Sequence, residues 1–365
     1  QLHMCRYVRV SGLVTRRADW FVCVMKELNP ECEAAMDQQT VSRGSQRRLA
    51  SSLVALVVMA TACGDGAADP ETEAIIAFAS DRDHEGPLDD FATVNVEIYT
   101  MAADGTGIVR ITHDPRVDFY PRWSPAGTEI AFISNRHSGT ESMDLYVIDL
   151  TTEEVRRVTT TGGVFGHEWS PDGSALVYAH ETSTGSEVRI VLTDGTDDRF
   201  VVEGSWPSFS PDGSQILFTQ GEFFGDEPQR LAVVDADGGS VSPVALDLDN
   251  SSESTWSPAG DRIAFMSNPN GYTGPVESWD EEIYVSAVDG TNVVRVSNRP
   301  GNDHWPPSWS ADGLCLAWQG DDPDPGSMNA DIIVAAVDTG ESINLTADSG
   351  FFELFPDWSP GTCPL

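Results

Sequence analysis

Trp169-Ser-Pro-Asp-Gly173 is the stretch that decides the fold. It recurs as Trp123-Ser-Pro-Ala-Gly127, Phe209-Ser-Pro-Asp-Gly213, Trp256-Ser-Pro-Ala-Gly260, Trp309-Ser-Ala-Asp-Gly313 and Trp358-Ser-Pro-Gly361. Successive aromatics stand 46, 40, 47, 53 and 49 residues apart, the period of a repeat architecture. Proline presets one φ and glycine accepts φ > 0, so each copy reads as a tight turn between two strands. An apolar strand follows every turn but the last, as in Ile130-Ala-Phe132, Leu176-Val-Tyr178, Ile216-Leu-Phe218, Ile263-Ala-Phe265 and Leu316-Ala-Trp318. After a variable loop comes another strand, such as Leu145-Tyr-Val-Ile148 or Ile283-Tyr-Val285, then an Asp/Gly turn and a short closing strand such as Arg156-Arg-Val158. Four antiparallel strands per unit is a propeller blade.

The fold class expected is therefore all-β, a six-bladed β-propeller of four-stranded antiparallel blades over residues 74–365. The first unit opens midway, at Ile75-Ile-Ala-Phe78, and the last closes midway, at Phe355-Pro-Asp-Trp358. The C-terminal strand is expected to supply the innermost strand of the N-terminal blade. That closes the ring and leaves no sheet edge at the seam.

These turns, the Ile-Ala-Phe strands, and the segments Glu97-Ile-Tyr-Thr-Met-Ala-Ala-Asp-Gly105 and Arg110-Ile-Thr112 resemble the TolB-like propellers built from PD40, or WD40-like, repeats. The resemblance runs over about 74–365 and is specific for fold. It implies protein–protein interaction as the family's kind of function.

Composition narrows the partners. The 365 residues carry 58 acidic and 21 basic side chains, a net charge of -37, and phosphate recognition needs the opposite sign. Nucleic acid is excluded on that ground. The charge is uneven, because residues 1–62 hold eight of the basic side chains against five acidic ones. Arg43, Arg47 and Arg48 precede the apolar run Leu49–Ala60, and Thr61-Ala62-Cys63-Gly64 follows. A positive flank, a short apolar core and small residues make a secretory signal, too short to span a bilayer. Ala60-Thr61-Ala62-Cys63 resembles a bacterial lipobox, with Cys63 lipidated; the alternative is an ordinary signal-peptidase site at Ala60-x-Ala62. The organisation expected is 1–35 as a translated extension ahead of a start at Met36, 36–62 as the signal, 63–73 as a linker and 74–365 as the propeller. The mature protein is expected to be an exported monomer, meeting the membrane through a lipid anchor only.

In a four-stranded meander the short Ser-Pro-Asp-Gly and Asp-Gly turns share one face, and the long irregular loops share the other. A rigid scaffold that displays varied loops on one side is how binding surfaces are built. Tyr120, His167, Trp206, His304, Trp305, Phe352 and Glu353 are the candidate ligand-face residues, carried toward the channel mouth, and the partner expected is a protein or envelope component. His167, Glu168, Asp118, His304 and Glu353 could also converge there around a metal, which would suit a hydrolase or lyase acting on an extracellular polysaccharide or peptide. No catalytic residue is assigned, because nucleophile-elbow, zinc-protease and P-loop signatures are missing. No cofactor is expected, with calcium the one exception considered. Asp81, Asp83, Glu85 and Asp89 have part of the spacing of a calcium loop, lacking its last carboxylate, and they face Asp321, Asp322, Asp324 and Asp331 across the seam. Cys315 and Cys363 occupy nearly equivalent repeat positions in neighbouring blades. Sheets packed about 10 Å apart would keep them from pairing unless the register shifts after the last turn, which has lost its Asp.

Overall fold

The computed structural model describes residues 74–84, 95–137, 142–221, 228–270, 281–298, 303–321, 329–347 and 349–365. Of Asp303 and His304 it describes the backbone alone. The extension, the signal, Cys63, the linker, Glu85 and Asp89 lie outside these residues, as do Asp322 and Asp324.

Six four-stranded antiparallel sheets stand around one axis. Blade 1 runs from an inner strand at Glu353–Trp358 outward through Ile75–Ser80 and Glu97–Ala102 to Val109–Arg110. The inner strands of blades 2 to 6 are Asp118–Trp123, Val164–Trp169, Ser205–Phe209, Ser251–Trp256 and Asp303–Trp309. Each of these five blades then runs outward in chain order. The expected closure is observed: Ile76 pairs with Trp358 and Ser80 with Glu353, joining the two ends of the chain in one sheet.

The turn motif has two physical tasks. Its aromatic is a wedge between blades. Trp309 packs with blade 5 side chains, Trp256 with blade 4, Phe209 with blade 3 and Trp358 with blade 6, so each closes the gap to the preceding sheet. The rest is a self-contained turn. Ser170 Oγ donates to Asp172 at 2.7 Å and accepts from Ala175 N at 2.9 Å, while Gly173, at φ +71°, donates to Ser170 O. The bond from Ser170 first, and those from the Ser174 N–H and hydroxyl after it, hold the Asp172 carboxyl down at about 2. Strands second from the axis, such as Ile130-Ala-Phe132 and Ile263-Ala-Phe265, are buried on both faces because each sheet lies between two others.

The short outer strands are fixed by a repeated clip. Asp144, which opens the third strand of blade 2, accepts from Arg157 at 2.6 Å, at the end of the fourth, and from Thr159 at 3.0 Å, just beyond it. Glu97 holds Arg110 and Thr112 in the same way, Glu282 holds Arg295 and Ser297, and Asp331 holds Asn344 and Thr346. Asp331, read from the sequence as part of an acidic loop cluster, is thus one of these clips.

Cys315 and Cys363 are joined by a disulfide, with Cα atoms 5.5 Å apart. The spacing argument against it fails because Cys363 does not sit on a second strand. After Trp358 the tail crosses to the blade 6 turn, where Gly361 O accepts from Ala311 N and Cys363 N donates to Asp312 at 2.9 Å.

Candidate functional site

Every inner strand breaks its ladder at the same place. The register with the second strand slips once per blade, and one residue there takes a left-handed conformation. These residues are Phe355 (φ 55°), Tyr120 (53°), Gly166 (61°), Trp206 (51°), Glu253 (54°) and Trp305 (70°). In blades 1, 2, 4 and 6 a proline comes next, which has no N–H to give the ladder, so a bulge is the local solution. For a non-glycine residue the left-handed state costs about 1–2 kcal/mol. Five such residues at equivalent positions mean that the surrounding ring imposes the geometry, and strain of this kind gathers at functional sites.

The bulges turn two layers of side chains toward the axis. The first layer is aromatic. Tyr120 stacks on Phe355 at 3.7 Å between centroids, Trp305 meets Phe355 edge-on at 5.1 Å, and Trp206 lies 5.6 Å from Tyr120 and 6.0 Å from Trp305. Gly166 leaves the room that Trp206 fills, since a Cβ there would stand 2.6 Å from Trp206 Cε3. Glu253 takes the corresponding place in blade 5 and is buried.

The second layer, on the side of the Ser-Pro-Asp-Gly turns, is polar: Asp357, Arg122, Glu168, Ser208, Thr255 and Ser308, one from each blade. All six line a small cavity of about 30 Å³, and Trp206 and Glu253 line it as well. Asp357 binds three blades together, accepting Ser308 Oγ–H from blade 6 and Trp123 N–H from blade 2, both at 2.7 Å. Arg122 stands between the carboxylates, 3.5 Å from Glu168 and 3.7 Å from Asp357. Burial pushes the Glu168 carboxyl up to about 7, with Arg122 opposing and Asp357 adding to the rise, and burial raises Asp357 too. His167 is buried beside this layer; its burial first, and Arg122 second, lower its pKa to about 3, so it is a neutral imidazole at ordinary pH.

Residues 91–259 match the family described as the TolB beta propeller domain, PD40. By that match, over a little under half of the chain, the propeller is TolB-like. Among solved structures, TolB from Acinetobacter baumannii superposes with a TM-score of 0.64 at 18% identity, over 79% of this chain and 67% of that one. At that identity the likeness is one of fold. Among curated relatives, the Tol-Pal system protein TolB of Francisella tularensis subsp. mediasiatica is 23% identical over 224 residues, covering 58% of this chain and 48% of that protein. An uncharacterized peptidase of Bacillus subtilis, YuxL, is 27% identical over 180 residues, covering 49% of this chain and 26% of that protein. The chain thus spans about half or less of the length of these two relatives.

In this TolB-like propeller the sequence-predicted ligand-face residues divide. Tyr120, Trp206 and Trp305 come together, on inner strands and not on loops, and Tyr120 and Trp206 are buried within the aromatic layer. Phe352 sits where the chain enters blade 1, its N–H donating to Asp81 Oδ1 at 3.0 Å. Glu353 is held by Arg82 at 2.5 Å and Asp118 by Arg136 at 2.7 Å, two equivalent ion pairs in which each arginine also stacks on aromatic rings of its own blade. Among the described residues no three His, Cys, Asp or Glu side chains converge closely enough to hold a metal. Of the calcium-loop candidates, Asp81 is buried against the Phe352 N–H and Asp83 pairs with Arg110 at 3.0 Å. Arg122, Asp357 and Ser308 were missed. Aligning the segments before each turn (Tyr-Pro-Arg-Trp, Gly-His-Glu-Trp, Trp-Pro-Ser-Phe, Glu-Ser-Thr-Trp, Trp-Pro-Pro-Ser-Trp and Phe-Pro-Asp-Trp) exposes the one polar column that contains them.

Proposed function

We propose that this chain is an exported propeller, anchored by a lipid at Cys63, that binds a protein or another envelope component through its long-loop face. The observation that carries the binding reading is the aromatic layer. Four rings held by strained backbone make the centre of the propeller rigid, and rigid aromatic platforms are what recognition surfaces are built around. The charged groups named for chemistry, Glu353 and Asp118, are each committed to an arginine. Likeness to the Tol-Pal system protein TolB supports a protein partner, and the signal read at 36–62 supports export. No helix among the described residues is long and apolar enough to cross a membrane.

The test is in intact cells producing the full chain. A photocrosslinking residue at Phe351, on the loop face and 38% exposed, is compared with one at Pro171 on the turn face. A discrete adduct from Phe351 and none from Pro171 is expected, with fatty-acid labelling that disappears in Cys63→Ala. Equal labelling from both positions would refute the assigned face. Retained acylation in Cys63→Ala would refute the anchor.

A further inference from the structure

The turn-side half of the channel holds an imbalance of charge. Two carboxylates of its wall, Glu168 and Asp357, share one guanidinium, Arg122. That guanidinium satisfies neither partner closely: it lies 3.5 Å from Glu168 and 3.7 Å from Asp357, and it donates at 3.2 Å to the carbonyl of Pro121. Asp357 is already fixed by its two short bonds to Ser308 and Trp123. Glu168 is not. One of its oxygens accepts the N–H of Trp169 at 2.9 Å, the other faces Arg122, and the side chain is 28% exposed. Burial is the main cause of its raised pKa, and Arg122 offsets that rise only in part. Ser208 and Thr255 bring hydroxyl groups to the same cavity, and Trp206 brings an indole wall.

We propose that this half of the channel binds a primary alkylammonium group, the chemistry of a lysine side chain, with Glu168 as its main acceptor. An ammonium has three donors in a small volume. One can meet Glu168, the others the Thr255 and Ser208 hydroxyls, while the methylene stem and the charge lie against the indole. A divalent cation fits less well, because Arg122 already stands between the two carboxylates and would repel it. The ligand comes from another molecule, since the sequence has a single lysine, Lys26, upstream of the signal. The site lies on the opposite side of the aromatic layer from the long-loop face, so it goes beyond the function proposed above and stands or falls separately.

The lysine-poor sequence makes the test direct. In the full chain carrying Lys26→Arg, the N-terminus is the remaining primary amine. Nα-acetyl-lysine methylamide is titrated against tryptophan fluorescence, then coupled with a water-soluble carbodiimide, and the adduct is located by mass spectrometry. Putrescine is run in parallel to distinguish a free amine from a protein lysine, and calcium chloride and the norleucine analogue are run as controls. Saturable binding is expected, with an adduct on Glu168, at least tenfold weaker binding in Glu168→Gln, and tighter binding in Arg122→Met, where the competing cation is gone. Near-UV circular dichroism checks that both variants keep their packing. The amide oxygen introduced by Glu168→Gln can still accept from Trp169 N–H, so the first variant is conservative. The proposal is overturned if neither amine saturates, if Glu168→Gln binds like wild type, or if calcium alone shows the Glu168-dependent signal.

Discussion

Replacing Cys363 by serine should uncouple the tail from the ring it closes. The disulfide to Cys315 encloses a loop of 48 residues that contains most of blade 6 and the whole inner strand of blade 1. In the chain-entropy account, cross-linking a loop of that length removes about 14 cal/mol/K from the unfolded ensemble, or about 4 kcal/mol at 25 °C. The tail keeps its backbone bonds to Ala311 and Asp312 in either case, so most of the loss should come from the unfolded state. Cys363 is the better target because Cys315 is fully buried and its replacement would also disturb the core. Urea unfolding followed by tryptophan fluorescence should show a lower midpoint for Cys363→Ser, with a slope equal to or steeper than that of wild type because the released chain unfolds to a less compact state. Reductant should bring the wild type to the same midpoint and leave the variant unmoved. A loss below about 1 kcal/mol would refute the reasoning, because a loop of this length cannot cost so little unless the unfolded chain is already constrained there.

Gly166→Ala should cost roughly 1–3 kcal/mol, since it places a Cβ at φ +61° and 2.6 Å from Trp206, and it should shift the emission of that indole; a wild-type melting curve and spectrum would contradict the layer's geometry. The Glu168 carboxyl titrates near 7 folded against 4.5 unfolded, so the stability it lends is complete below pH 4.5 and is lost as pH rises through 7. Glu168→Gln should therefore lose less stability than wild type between pH 5 and pH 8 in denaturant titrations, and identical slopes would count against a desolvated Glu168. Asp144→Ala leaves Arg157, Thr159 and the Gly162 N–H without their acceptor; a loss of about 3–5 kcal/mol is expected in urea unfolding, and a loss under 1 would show that the clips are ornamental.

The fold was legible because its decisive contacts are local. A turn such as Ser170–Gly173 bonds only to itself, and the wedge beside it needs only to be large and apolar, so both survive as a visible motif. The channel was less legible for two reasons. Its inner strands contain a proline or a left-handed residue midway, which reads as loop, and Tyr120, Trp206 and Trp305 were accordingly placed on loops. Its polar layer is assembled across blades: Asp357 and the Trp123 N–H that it accepts are 234 residues apart, and no spacing within one repeat can announce such a pair. Glu168 was noticed for its residue type, while Arg122 and Asp357 looked like ordinary strand polar residues. The disulfide shows the reverse limit, since repeat equivalence argued against a bond that a short departure from the repeat allows.

The two ends of the propeller leave it side by side. Ile75 N–H donates to Ser359 Oγ, and a Cβ on Gly361 would stand 2.7 Å from Ala74 Cα, so the first and last described segments meet at the turn face. With a lipid on Cys63, the eleven residues from there to Ala74 would form a leash of at most about 40 Å. A body hung by such a leash from one rim points that rim at the bilayer and its long loops outward. Orientation would then be a property of where the chain enters the ring, with the polar, turn-side layer of the channel nearer the membrane and the loop face sweeping the space beyond.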